Sequence, residues 1–318
     1  MSKTAISSTL LLVASLLFLP VLVQAELVES MEGTLSLGYR VDQFDWNISG
    51  NYQGEDPNIL SELTWEDLEI VQLQLDLALT SRQLSWLGNS RLQLAGNLAY
   101  GSIFAGENQD SDYAADDRTE EWSRSNNGAE DGSSIDVGGA FGPEFQLLQG
   151  KIILLPLLGY SLHIQDLSIT DGYQTLAPNP LQVGPISGLD SSYCAYWYGP
   201  WMGARIQVAP SPSWKLEVRG EYHLVEYFAE ADWNLRDDLE HPVSFEHEAD
   251  GYGTVFGVQS FHQLNPHWSL LFSGTVQSWL AEDGTDITFR EDGSRSRTRL
   301  NEVNWESISV SFGAYYRF

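Results

Sequence analysis

The run Ser307 to Phe318 puts Ile308, Val310, Phe312, Ala314, Tyr316 and Phe318 on one side of an extended chain. Ser307, Ser309, Ser311, Gly313, Tyr315 and Arg317 fall on the other. A two-residue period of this kind is a β-strand with one apolar and one polar face. The apolar face continues to the last residue, so the strand must hide it in a protein core or in lipid. At ~3.3 Å per residue, Ile308 to Phe318 is long enough to cross, when tilted, the ~25 Å apolar band of a membrane barrel. Glu306, on the same parity, would stand above that band.

The ending itself, an aromatic Phe318 with Tyr316 two residues before it and Gly313 five before it, resembles the C-terminal signal of bacterial outer-membrane β-barrels. That resemblance implies that the barrel assembly machinery reads Tyr316 and Phe318. The other end of the chain is consistent with this. Lys3 precedes an apolar run from Leu10 to Val23, and Ala25 precedes Glu26, which reads as a cleaved secretory signal at 1–25 and a barrel at 26–318. After it no apolar run reaches the roughly 18 residues of a membrane helix, so a membrane location requires strands.

Alternating segments follow one another with connections that are in turn long and short, the rhythm of an outer-membrane barrel. Val71, Leu73, Leu75, Leu77 and Leu79 oppose Gln72, Gln74 and Asp76. Leu92, Leu94, Leu98 and Tyr100 oppose Arg91, Gln93 and Asn97. The stretch from Trp214 to Leu224 sets Lys215, Glu217, Arg219, Glu221 and His223 against Leu216, Val218, Tyr222 and Leu224. Five ionisable groups in register cannot face lipid, where a charge near the midplane costs a few kcal/mol. They must face a lumen, unless the chain is a water-soluble sandwich with that face in solvent. Counting on gives an all-β fold, a transmembrane antiparallel β-barrel of about ten strands, with five long outer loops near 51–58, 106–133, 170–191, 235–250 and 282–299. The short turns fall near 86–89, 149–150, 210–213 and 265–266, on the periplasmic side with both termini. The expected location is the cell outer membrane, with outer-membrane lipid or lipopolysaccharide as surroundings.

Composition narrows function. A formal charge of −28, or −29 once Lys3 leaves with the leader, argues against nucleic acid as a partner. The single cysteine, Cys194, excludes an internal disulfide and a cysteine-based zinc cluster and reads as a wall residue. No nucleophile elbow, phosphate loop or paired-His helix motif is present. His247 reads as a loop residue.

A barrel with protruding walls and acidic motifs in its second and fourth loops resembles the omptins, the outer-membrane proteases of bacteria. The runs Pro57 to Trp65, Gln109 to Tyr113 and Asn301 to Glu306 also look like the omptin-related Protochlamydia outer membrane protein family, whose members are described as barrel or porin-like proteins, and this likeness covers most of the mature chain. The omptin resemblance implies an Asp-x-Asp pair facing an Asp-x-His dyad that together activate a water. Asp110 and Asp112 match the first half. For the second half, Asp238 lies three residues before His241, and Leu239 stands where the pattern has its acid. The resemblance therefore implies an endopeptidase with Asp110, Asp112, Asp238 and His241, whereas the residues themselves suit a non-catalytic surface, binding or narrow-channel protein. A third reading is calcium, because Asn108, Asp110 and Asp112 alternate like early ligands of a calcium loop, with Asp116 close by; the sixth and twelfth positions, Tyr113 and Thr119, depart from that pattern.

Overall fold

A computed structural model describes residues 27–318; the expected leader lies outside them. Twelve strands follow in order: β1 (Val28–Ile48), β2 (Ser61–Ser81), β3 (Arg91–Ala115), β4 (Thr119–Gly128), β5 (Ser133–Leu147), β6 (Ile152–Leu176), β7 (Gly184–Pro185), β8 (Asp190–Ser211), β9 (Trp214–Asp232), β10 (Phe245–Gln263), β11 (Trp268–Phe289) and β12 (Arg295–Arg317). Ten of them close an antiparallel ring: β1 pairs with β12, β2 with β3, β3 with β5, β5 with β6, β6 with β8, and the rest each with its chain neighbour. β4 fits between the upper ends of β3 and β6, and β7 adds two rungs to β6. Closure leaves no wall strand with an unpaired edge, a condition that lipid imposes because it offers no hydrogen bonds. Among the described residues no helix is long and apolar enough to cross a membrane.

Four connections at one end are short, and both termini lie beside them; the amide of Phe318 donates to the carbonyl of Met31. This is the periplasmic end. At the other end the strands run well past the membrane, since β1 alone has 21 residues. Much of what the sequence suggests as outer loop is therefore wall. β3 continues to Ala115 and returns as β4, β6 reaches Leu176, β10 already begins at Phe245, and β11 ends only at Phe289.

The reason lies in a change of hydrophobic phase along each strand. On β1 the exposed apolar residues are Leu35, Leu37 and Tyr39, while the buried ones farther up are Phe44 and Trp46. On β8 Met202 and Ile206 face out, whereas Tyr193, Ala195 and Trp197 face in. On β12 Ile308, Val310 and Phe312 face out, and Val303 and Trp305 face in. Within the bilayer the lipid is outside; above it water is outside, so the apolar side must turn to the bore.

One contiguous apolar cluster, fed from nine of the ten wall strands, fills the upper bore. Its largest wholly buried members are Trp65, Trp197, Trp279, Trp305 and Tyr193. Trp279 and Trp305 stack with centroids 5.2 Å apart and planes 15° apart.

Beneath this plug the bore is polar. The ladder on β9 faces inward as expected: Arg205 lies 3.1 Å from Glu217, Arg219 lies 3.7 Å from Glu221, and the Lys215 ammonium sits 4.0 Å over the ring of Phe261. Arg91 instead bridges Glu29 and Glu144 at the periplasmic rim. Directly under the aromatics, Arg40 donates to Asp42 and, at 2.9 Å, to Asp136. Asp136 also accepts from Gln72 at 2.9 Å and meets His163 at 2.8 Å. Trp305 joins the two layers through Nε1, which donates to Asp42 at 3.0 Å. A buried charge set satisfied from this many sides holds its geometry.

Candidate functional site

Above the plug, the inward face of β3 carries Asn108, Asp110 and Asp112, and register sets them opposite Asn127, Ser125 and Ser123 of β4. This extension of the wall, rather than a free loop, positions the acidic pair. Asp112 accepts hydrogen bonds from the hydroxyls of Ser61 and Ser123. Asp110 has no such donor. Desolvation first, and then the charge of Asp112 beside it, push the Asp110 carboxyl up to about 8, partly offset by Arg236. Two adjacent half-buried acids share protons in this way because they cannot both ionise at low cost.

Arg236 belongs to the connection between β9 and β10, so the second and fourth outer segments do approach one another. It is a guanidinium, and not His241, that acts on the aspartate pair. Arg236 also grips Asp238 through two hydrogen bonds of 2.8 and 2.9 Å, and Arg290 stands 3.9 Å from the same carboxylate. These cations hold Asp238 down to about 2. His241 takes a different partner, Asp232 at the end of β9, with Nδ1 to Oδ1 at 2.6 Å. That carboxylate raises the imidazole above its usual range. Sequence spacing offers no sign of Asp232, because nine residues and a chain reversal separate it from His241; only the β9–β10 register brings it back.

The four residues suggested by calcium-loop spacing do not converge. Asn108 donates to the carbonyl of Thr64 at 3.0 Å and accepts from Asn127 at 2.8 Å. Asp116 is at the β3–β4 turn, where it accepts the amide of Asn58 at 2.8 Å. Among the described residues no group of three or more His, Cys, Asp or Glu side chains is arranged to hold a metal ion.

His247 is not a loop residue. It lies on β10, wholly buried, because inward positions above the membrane belong to the core. Its Nδ1 meets the Tyr193 hydroxyl at 2.8 Å, and that hydroxyl meets Tyr227 at 2.6 Å. Asp286 lies 3.3 Å from Nε2. Cys194 is a half-buried wall residue of β8, as expected.

A solved structure shares this fold. The outer membrane protease OmpT from Escherichia coli superposes with a TM-score of 0.72 at 12% identity, covering 91% of this chain and 97% of its own. The translocator domain of the autotransporter NalP from Neisseria meningitidis aligns over 100% of this chain and 98% of its own at 12% identity, with a TM-score of 0.36. At such identities the OmpT likeness speaks for the fold alone. No curated protein matches the chain. The Protochlamydia outer membrane protein family, in contrast, matches residues 34–318, from the first wall strand to the terminal Phe318, so that the membrane wall, the aromatic plug and the acidic mouth all fall within a chain that belongs to this outer-membrane barrel family.

Proposed function

We propose that this outer-membrane barrel is a non-catalytic surface protein whose acidic mouth takes up cationic groups from outside while its bore stays shut. The observation that carries this reading is the pairing of charges at the mouth. The Asp110–Asp112 pair faces Arg236, and His241 is committed to Asp232, so the imidazole is not among the charged groups acting on the pair. An Asp pair that retains a proton attracts cations weakly when empty and more strongly once a cation displaces that proton. The apolar cluster across the upper bore favours binding over conduction.

A second reading, an endopeptidase of omptin type, has one specific observation in its favour: His241 and Asp232 form an oriented carboxylate–imidazole dyad flanking the connection whose Arg236 acts on the acidic pair. One experiment separates the two. Purified barrel in detergent with lipopolysaccharide is mixed with fluorogenic peptides containing Lys or Arg, and wild type is compared with Asp110→Asn and His241→Ala. The binding reading expects no turnover in any of the three, with salt-sensitive retention of the basic peptides that falls in Asp110→Asn. Turnover by wild type that disappears in both folded variants would establish the peptidase instead.

A further inference from the structure

The outer wall contains a feature that neither the mouth nor the bore uses. Where β10, β11, β12 and β1 leave the bilayer, one register row of outward side chains reads Thr254, Ser278, Glu306 and Gln43, all exposed. The row directly beneath it reads Phe256, Val276, Ile308 and Val41. Between the two rows lies a groove of about 460 Å³. Its floor is continuous with the apolar band that the barrel already presents to lipid, and its rim is polar.

The charge of that rim decides the occupant. Glu306 makes no ion pair among the described residues. The outward row above it reads Tyr252, Leu280, Asn304 and Asp45, and the row above that adds Asp250, Glu282 and Glu302, with Asp250 and Glu302 both in register against Glu282. No lysine or arginine shares this level of these four strands. A lipid presenting a bare phosphate would be repelled by the Glu306 carboxylate in the rim and by Asp45 in the row above it. A lipid ending in a primary ammonium would meet a carboxylate and two hydroxyls at the depth where its headgroup lies.

We propose that this groove seats an outer-leaflet lipid with a primary-amine headgroup, its acyl chain on Phe256, Val276 and Ile308 and its ammonium on Glu306. The ion pair forms at the membrane boundary, partly screened, so the preference is modest. A contribution at the upper end for exposed pairs corresponds to about fivefold in affinity.

The full chain is refolded into vesicles containing phosphatidylcholine with equal amounts of phosphatidylethanolamine and phosphatidylglycerol, extracted in mild detergent, and the retained lipids are counted by native mass spectrometry. Phosphatidylethanolamine is expected to be retained over phosphatidylglycerol by about fivefold. Glu306→Gln is expected to bring the ratio near one, while Glu282→Gln, two rows higher and outside the groove lining, leaves it unchanged. The wild-type chain alone provides a second test: trimethylating the headgroup amine removes its hydrogen-bond donors and should lower retention. Equal retention of the two lipids, or a preference that survives Glu306→Gln, overturns the proposal. So does a phosphatidylglycerol preference abolished by chelator, since that would mean phosphate bridged by divalent cations.

Discussion

Trp305→Ala tests whether the upper barrel is a true core. Trp305 is wholly buried, stacks on Trp279 and has its ring centroid 5.2 Å from the Arg40 guanidinium. Truncating a buried aromatic to alanine costs about 3–5 kcal/mol. The substitution also removes the Nε1–H that donates to Asp42, a hydrogen bond to a charged group that adds about 1.5–3 kcal/mol although Arg40 remains as a donor to the same carboxylate. The expected loss is therefore about 4.5–8 kcal/mol. Trp305→Phe keeps most of the ring and loses the donor, so it should sit near the lower bound of that hydrogen-bond term. Trp122→Ala, on the exposed face of β4, should stay within about 0.5 kcal/mol of wild type. Urea unfolding in detergent micelles, followed by the gel shift between folded and heated barrel, measures all three. Planar-bilayer recording adds an independent readout, because removing the plug joins outside water to the polar bore. Wild type should be silent or nearly so, and Trp305→Ala should show flickering current. If Trp305→Ala is no less stable than Trp122→Ala and equally silent, the aromatics are not the structural core of the outer half.

Deleting Phe318 should leave the chain in the periplasm, degraded or aggregated, since the terminal residue bonds Met31 and packs edge-on to Tyr316 at 4.8 Å where the ring closes; normal surface levels of a heat-modifiable barrel would count against this. Asp110 binds its proton more tightly folded than unfolded, so between the usual carboxylate range and about pH 8 the folded state holds the extra proton and stability falls as pH rises. Asp110→Asn should remove that fall, so its unfolding midpoint should change less than wild type between pH 5 and pH 8 (values of roughly one unit beyond the ordinary carboxylate range and of the raised one). Asp232→Asn should lower the pKa of His241 toward its ordinary value, while Asp238→Asn should leave it raised, as followed by the imidazole proton resonance in an isotope-labelled sample. The raised His241 pKa ties this pair to folding below the unfolded value, and the tie weakens as pH rises through the folded one, so proteolysis within 233–244 should quicken over that range.

The strand count and the lumen ladder were legible because lipid enforces a strict alternation. Leu216, Val218, Tyr222 and Leu224 against Lys215, Glu217, Arg219, Glu221 and His223 admit few other membrane readings. The upper walls were not, because there the same alternation continues with its sense reversed, and acidic outward residues such as Glu246, Glu248 and Asp250 look like loop when the inward partners Phe245 and His247 are not yet known to form a core. The acidic pair was legible by motif, since Asp110 and Asp112 share one strand face. The partner of His241 was not: spacing points to Asp238, whereas in the fold Arg236 and Arg290 draw Asp238 away and Asp232 takes its place.

The reversal of phase also accounts for the charge. Ionisable groups in the lower bore cancel largely among themselves, as Arg40 does with Asp42 and Asp136, Arg205 with Glu217, and Arg219 with Glu221. The formal −28 must then reside mainly on the water-facing surfaces, and most of these belong to the walls and connections outside the membrane. Acids can accumulate there because the aromatic core holds the walls together against their mutual repulsion. The mouth, with Asp110 and Asp112 set above that core, opens into this negative field, so cationic ligands should be drawn to it from solution at a rate that falls with added salt.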